Sequence, residues 1–184
     1  MDNIRKPDVK NVAVTRKDGG ITLLKVIETE YMPNPKNPSE RIVYKHYDVT
    51  NEYVNSLIAK YVNDGHWVGD LEPVSWRFVS EDFVTKDTDR TFRGAWKDIG
   101  KDKPDHDMPR AREIHKKNLR FLRQPLLKQL DVNYIMADEK QDSKLKKEIA
   151  DRKQTLRDIT NHPSIEKALT VEELKVAAIN ILNQ

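Results

Sequence analysis

Histidine, a side chain that commonly binds metals and moves protons, occurs five times in the chain, at His46, His66, His106, His115 and His162. No two of them stand four positions apart, the spacing that turns two imidazoles of a helix toward one metal ion. The segment DHDMPRAREIH combines two histidines with acidic residues, but a helix start followed by an exposed turn explains this composition. We therefore expect solvated or capping histidines and no metal site.

Catalytic sequence motifs are also missing. The chain contains no nucleophile-elbow pattern, no phosphate-binding glycine loop and no dinucleotide-binding fingerprint, and the glycine pair in KDGG fits a tight turn. Cysteine is absent, which excludes disulfides and thiolate ligands and fits a reducing compartment. The sequence therefore predicts a protein that is not an enzyme, with no catalytic, metal-binding or cofactor-binding residue.

A basic cluster is the strongest chemical feature of the sequence. Residues 110–128 contain Glu113 as their only acid together with Arg110, Arg112, Lys116, Lys117, Arg120, Arg123 and Lys128. A helix with this composition could present a phosphate-binding face. The alternative is a solvated face paired with acidic residues of the next turn and helix, namely Asp138, Glu139, Asp142, Glu148 and Asp151. We favour this pairing, because a helical hairpin would bring the opposite charges together.

The overall composition indicates a small core with much polar surface. Among 184 residues, 37% are hydrophobic and 34% are charged. The net charge of +3 gives no strong support to nucleic-acid or membrane binding. The N-terminal MDNIRKPDVK lacks the apolar core of a signal peptide, and no run approaches the roughly 18 apolar residues that span a bilayer. We expect a soluble protein that is not exported by the usual route.

The first hundred residues carry the pattern of a small α+β domain. The turn sequence Asp18-Gly19-Gly20 predicts a hairpin with strands at about residues 12–16 and 21–27. The proline-rich YMPNPKNPSE predicts a mobile loop, and RIVYKHYDV then suits a third strand or an extension of the hairpin. Thr50 can cap a helix over residues 51–63 that ends at Gly65, and a further strand is predicted over residues 74–79.

Two aromatic residues, Phe92 and Trp96, stand four positions apart in DRTFRGAW. On a helix this spacing would place both rings on one face. We expect them to close the small domain, with an exposed docking site as the alternative. The polar segment GKDKPDHDMP follows, so we predict a small α+β domain over residues 1–100 and a helical module over residues 101–184.

The helical module is predicted from the strongest periodic pattern in the chain. Asp107 and Pro109 mark a helix start, and apolar residues then recur at intervals of three or four: His115, Leu119, Leu122, Leu126, Leu130, Tyr134 and Ala137. Pro125 predicts a kink rather than a break, because the pattern resumes in register. Ser143 can cap a second, antiparallel helix, and Thr170 with Glu173 has the spacing of a capping box for a short third helix.

The apolar residues of this module are few for the length of its helices, which predicts that a partner or a second copy completes it. The expected interface residues are Phe92, Trp96, Leu119, Leu122, Leu126, Leu130, Tyr134 and Leu156. Of these, Leu156 is expected to be mostly buried against the first helix. The basic residues expected on the outer face, where charge would tune partner choice, are Arg112, Lys116, Arg120 and Arg123.

Two C-terminal segments, AREIHKKNLRFLRQPLLKQLDVNYIMADE and KKEIADRKQTLRDITNHPSIEKALTVEELK, resemble the terminal helical region of tailed-bacteriophage tail-associated proteins. TRKDGG and DRTFRGAW are similar to the shorter segment that precedes this region in the same proteins. The resemblance covers about residues 12–20 and 89–174. The leucine stripe followed by an LRDI-type ending also distantly resembles tail fibre assembly chaperones.

This resemblance implies a non-enzymatic structural protein of the virion, a tail-associated adaptor or connector that is made in the host cytoplasm. The alternative is a chaperone for tail or tail fibre assembly that does not remain in the virion. A third hypothesis, nucleic-acid binding through the basic residues 110–128, has less support. The implied partners are other tail or tail fibre proteins, in a homo-oligomer or a larger assembly, without a membrane.

Overall fold

The fold is given by a computed structural model that describes residues 8–85 and 88–183. The chain divides into two compact units. The sheet unit comprises Met1–Asp89 and Trp96–Asp105, and the helical unit comprises Arg90–Ala95 and His106–Gln184. The architecture is α+β, as predicted. The expected absence of a signal peptide concerns residues 1–10, of which residues 1–7 lie outside the described residues.

Four antiparallel strands form the sheet: β1 (Asp8–Arg16), β2 (Ile21–Asn34), β3 (Asn37–His46) and β4 (Pro73–Val79). Their order is β3-β2-β1-β4. The predicted hairpin is confirmed, since Gly19 takes the positive φ of 75° in its turn and the Arg16 amide donates to the Gly20 carbonyl at 2.9 Å. β1 and β2 both extend beyond the residues predicted for them.

The proline-rich segment is not a loop, so that prediction was wrong. It forms the end of the β2–β3 hairpin, where Asn34 pairs with Asn37. The Asn34 side chain closes the turn by accepting a hydrogen bond from the Lys36 amide at 3.0 Å. Pro33 stands next to a register irregularity and Pro38 lies on the edge strand β3, positions where a missing N–H is tolerated.

A helix, α1 (Asn51–Asn63), covers one face of the sheet and has the predicted bounds. The Thr50 hydroxyl accepts from the Tyr53 amide at 3.2 Å, which confirms the predicted cap. Gly65 ends the helix with a φ of 75°. The core between helix and sheet contains Val12, Val14, Val26, Val49, Val54, Ile58 and Trp67.

The opposite face of the sheet has its own small core. Ala13 and Ile21 from the strands pack with Phe83 and Trp96. β1 is therefore buried on both faces, which explains why Val12, Ala13 and Val14 are all fully inaccessible. Trp96 begins β5 (Trp96–Lys97), which pairs with β6 (Asp105–His106).

Four helices form the helical unit: α2 (Met108–Glu139), α3 (Ser143–Asp158), α4 (Pro163–Lys167) and α5 (Val171–Val176). The predicted helical hairpin and short third helix correspond to α2, α3 and α5, whereas α4 was not predicted. Asp107 caps α2 as expected, accepting from the Arg110 amide at 3.0 Å. Asp142, rather than the predicted Ser143, caps α3 by accepting from the Leu145 amide at 2.9 Å.

The two long helices are antiparallel neighbours, as predicted. Asp138 near the end of α2 pairs with Lys146 near the start of α3, and the earlier Asp131 pairs with the later Lys153. α2 continues through Pro125 without interruption. Proline cannot donate to the Phe121 carbonyl, but Phe121 is exposed, so water can reach that turn.

The core of the helical unit draws on α2, α4, α5 and the segments beside them. It contains Phe92, Ala95, Ala111, Leu119, Ile159, Ile165, Ala168, Val171, Leu174, Ala177 and Ala178. α3 contributes two further buried residues, Ile149 and Leu156. The segment after α3 therefore supplies much of the apolar surface that the sequence analysis found missing.

Candidate protein-interaction surface

The histidines do not converge on a common site. Within residues 8–85 and 88–183, no group of three or more His, Asp or Glu side chains is placed to hold a metal ion. His162 caps α4, because its Nδ1 accepts from the Ser164 amide at 3.3 Å. His115 contradicts the expectation of a solvated or capping residue, since it is buried and its Nε2 lies 2.9 Å from the Ala177 carbonyl oxygen.

The predicted interface residues lie mostly in the interior. Leu119 and Leu156 are fully buried, so the expected burial of Leu156 is confirmed. Leu126, Leu130 and Tyr134 are half-buried, and Leu122 is exposed. For a single chain, part of the face from Leu119 to Tyr134, or the pair of Phe92 and Trp96, was expected to stay uncovered; Leu122 is the member of this face that is exposed. α3 and the segment after it lie against this side of α2.

Phe92 and Trp96 do not share a helical face. Phe92 precedes a short 3-10 turn, Arg93–Ala95, whereas Trp96 begins a strand. Phe92 is fully buried in the core of the helical unit, and Trp96 is buried in the small core of the sheet unit. The expectation that both close the small domain is thus correct for Trp96 alone, and neither ring is exposed for docking.

Two of the predicted charge-tuning residues bind backbone carbonyls instead of facing outward. Arg112 donates to the Ile165 and Ala168 carbonyls at 3.2 and 2.9 Å, at the end of α4. Arg123 donates to the Leu156 and Arg157 carbonyls in the last turn of α3. Carbonyls at helix C-termini lack helical partners and favour a cation, so each arginine stabilises a helix end.

Lys116 is also engaged within the helical unit. Its ammonium lies 2.8 Å from Glu166 and 3.1 Å from Glu113. The hydrogen bond to Glu166, and after it the one to Glu113, raises the pKa of Lys116 above its ordinary value. The same hydrogen bond from the Lys116 ammonium lowers the pKa of Glu166. Of the four predicted outer-face cations, Arg120 alone is exposed. Arg112 and Lys116 thus pair with Glu166 of α4 rather than with the acids of the next turn and α3 that were expected.

A second apolar face of α2 points away from this core. Phe121, Val132, Ile135 and Met136 are exposed by 73%, 52%, 59% and 51%. Successive intervals of eleven, three and one residues place them on one side of the helix, between about 100° and 160° from Leu119 at 100° per residue. These four residues are called the outer stripe. Their spacing was readable in the sequence, but the richer stripe on the opposite side concealed it.

The sheet unit exposes apolar residues on β3. Val43 and Tyr44 are exposed by 57% and 65%, and Ile42 is also exposed. β3 is an edge strand that pairs with the second half of β2, from Thr29 to Asn34. An edge strand presents backbone groups as well as side chains to a binding partner. This region, residues 42–44, is called the β3 patch.

The chain matches no protein-family model, no curated protein and no solved structure. No helix in the described part of the chain has the length and apolar character required to cross a bilayer.

Proposed function

We propose that this protein is a non-enzymatic structural component of a phage tail, an adaptor that contacts other tail proteins through exposed apolar surfaces. The outer stripe carries the proposal. Phe121, Val132 and Ile135 are large apolar residues on a helix whose opposite face already serves the core. An apolar surface of this kind on a folded protein usually marks an interface.

The phage context is supported by the resemblance of residues 89–174 to tail-associated proteins. The β3 patch adds a contact surface on the sheet unit, so each unit offers one apolar region. Two separate regions suit an adaptor, because one can hold a neighbouring tail protein while the other is occupied. The partners of this adaptor are other tail or tail fibre proteins, and its location is the virion.

Quantitative immunoblotting of purified phage particles tests the proposal. We expect a constant ratio of this protein to the major tail protein across independent preparations. The double variant Val43→Ser with Tyr44→Ser should reduce incorporation several-fold, because it removes the two most exposed apolar side chains of the β3 patch. Val68→Ser is the matched control, since Val68 is 61% exposed in the same unit but lies outside the patch.

Two results would contradict a structural role. Abundance in the lysate with absence from particles would indicate an assembly chaperone. Tight DNA binding with a steep salt dependence would favour the nucleic-acid hypothesis. Fewer basic side chains are available to bind DNA, because Arg112, Lys116 and Arg123 already donate to acceptors within the helical unit.

A further inference from the structure

The outer face of α2 has the spacing of a helix-pairing seam. Positions 121, 125, 128, 132, 135 and 139 follow alternating intervals of four and three residues, the heptad pattern that keeps one side of a helix against a second helix. Phe121, Pro125, Val132 and Ile135 fill four of these six positions, and all four are exposed. A solvent-facing side would carry polar residues at such positions.

Basic and acidic residues occupy different halves of the same face of α2. Its N-terminal half carries the exposed Lys117 and Arg120, its C-terminal half carries the exposed Asp131, Asp138 and Glu139, and the exposed Lys128 lies near the middle. Two such helices in parallel would place like charges side by side. An antiparallel arrangement places the basic half of each helix beside the acidic half of the other.

The acids that would meet these cations are accessible. Asp131 and Asp138 already pair with Lys153 and Lys146 of α3. Their side chains nevertheless remain 58% and 63% exposed, so each carboxylate keeps acceptor capacity for a second cation.

We infer that α2 pairs antiparallel with the α2 of a second copy of this chain, around a two-fold axis near residues 126 and 127. Phe121 then faces Val132 of the second copy, and Lys117 lies beside Asp138 of the second copy. The aliphatic stem of Lys128 covers Pro125 across the axis. The contact is symmetric and closes after two chains. This inference rests on the proposed function in treating the outer stripe as a contact surface; it assigns that surface to a second copy of this chain, so the β3 patch remains for other tail proteins.

Sedimentation velocity of the full chain tests the pairing. We expect a concentration-dependent dimer across about a hundredfold range of protein concentration. The double variant Phe121→Ser with Ile135→Ser should weaken dimerisation by about tenfold or more, because it removes apolar contacts from both halves of the seam. Far-UV circular dichroism should be unchanged, since both side chains are exposed in the single chain.

The matched control is Leu169→Ser with Val176→Ser. These residues are 79% and 72% exposed in the same unit but lie outside α2. The control should dimerise like the unaltered protein. A chain that stays monomeric throughout, or outer-stripe variants that dimerise as tightly as the control, would overturn the inference.

Cysteine cross-linking tests the direction of the pairing. The natural chain has no cysteine, so every disulfide that forms joins two introduced cysteines. Lys117→Cys and Asp138→Cys variants, distinguished by a tag of different mass, are mixed and oxidised. The antiparallel arrangement predicts mixed disulfides between the two variants, whereas a parallel pair would give Lys117→Cys homodimers and contradict the inference.

These outcomes separate the inference from the proposed function. A purified protein that is monomeric but present in particles overturns the pairing and leaves the structural role in place. A dimer that is absent from particles overturns the structural role alone.

Discussion

The guanidinium of Arg123 on α2 donates a hydrogen bond of 3.1 Å to the carbonyl oxygen of Leu156 on α3. The same nitrogen also donates to the Arg157 carbonyl. α3 buries only Ile149 and Leu156, a thin apolar face for a helix of 16 residues. Polar contacts from its neighbour therefore supplement its packing, because they bind carbonyls that would otherwise need water.

Arg123→Met should lower the free energy of unfolding of the helical unit by about 1 to 3 kcal/mol, since it removes charged hydrogen bonds to two carbonyls. Arg123→Lys should recover part of this, because an ammonium keeps the charge but not the planar geometry. Far-UV circular dichroism during urea unfolding measures both. Arg120→Met is the control, because Arg120 is exposed on the same helix. An equal loss of unfolding free energy in this control would show that the hydrogen bonds to the carbonyls are not the cause.

Leu156→Ala should cost about 2 to 4 kcal/mol, because the side chain is completely buried and its removal leaves a cavity. Leu145→Ala on the same helix provides the comparison, since Leu145 is 40% exposed and should cost less. The same urea unfolding experiment measures both variants. A loss below about half a kcal/mol at Leu156 would show that α3 does not pack on α2 as described.

Gln141→Gly should stabilise the helical unit by about 0.5 to 1 kcal/mol, because a left-handed backbone costs a residue with a side chain about 1 to 2 kcal/mol and the greater freedom of glycine in the unfolded chain offsets part of the gain. Gln141 has a φ of 55°, and the Asp142 amide donates to the Ala137 carbonyl at 2.9 Å in the bonding pattern that normally takes glycine. α1 ends in the same pattern with Gly65. Thermal unfolding of Gln141→Gly and of the control Gln141→Ala checks this, and stabilisation by alanine as large as by glycine would argue against backbone strain.

Asp98→Asn should lower the stability of the sheet unit at neutral pH by about 1 to 3 kcal/mol. Arg77 donates to both oxygens of Asp98, at 2.8 and 2.9 Å. These hydrogen bonds hold the pKa of Asp98 below its ordinary value. The stabilisation is therefore complete above the unfolded-state pKa of about 3.9 and is lost as the pH falls through the lower folded-state pKa.

Tryptophan fluorescence during urea unfolding follows this effect, because all three tryptophans, Trp67, Trp76 and Trp96, belong to the sheet unit. The difference in stability between the natural chain and Asp98→Asn should narrow as the pH is lowered below about 4. A difference that stays constant down to strongly acidic pH would show that the charge of Asp98 contributes nothing.

Local signals allowed much of the fold to be predicted. The cap at Thr50, the stop at Gly65 and the Asp18-Gly19-Gly20 turn each act within a few residues, so the sequence alone identifies them. A third strand or hairpin extension was predicted over residues 41–49, but the proline-rich end of the β2–β3 hairpin was missed, because its prolines occupy positions that need no amide donor. α4 was missed because it has five residues and its cap is a histidine, an unusual choice.

The candidate surface was harder to predict than the fold. Periodicity identified an apolar face on α2, but it could not tell which neighbours cover that face. The side of α2 that carries Leu119 packs into the core of the helical unit, whereas the side that carries Phe121 is exposed. The roles of Arg112 and Arg123 were also hidden, because backbone carbonyls carry no signal in the sequence.

The assignment of Arg90–Ala95 to the helical unit has a consequence for dissecting the chain into fragments. The polypeptide passes between the two units three times, so no single cut releases both of them intact. A cut after residue 100, at the boundary that the sequence suggested, removes Phe92 and Ala95 from a core in which both are fully buried. Loss of a buried phenylalanine side chain alone costs about 3 to 5 kcal/mol, a large share of the stability of a small domain. An isolated helical fragment therefore has to begin at or before residue 90, and it then carries residues 96–105 of the sheet unit with it.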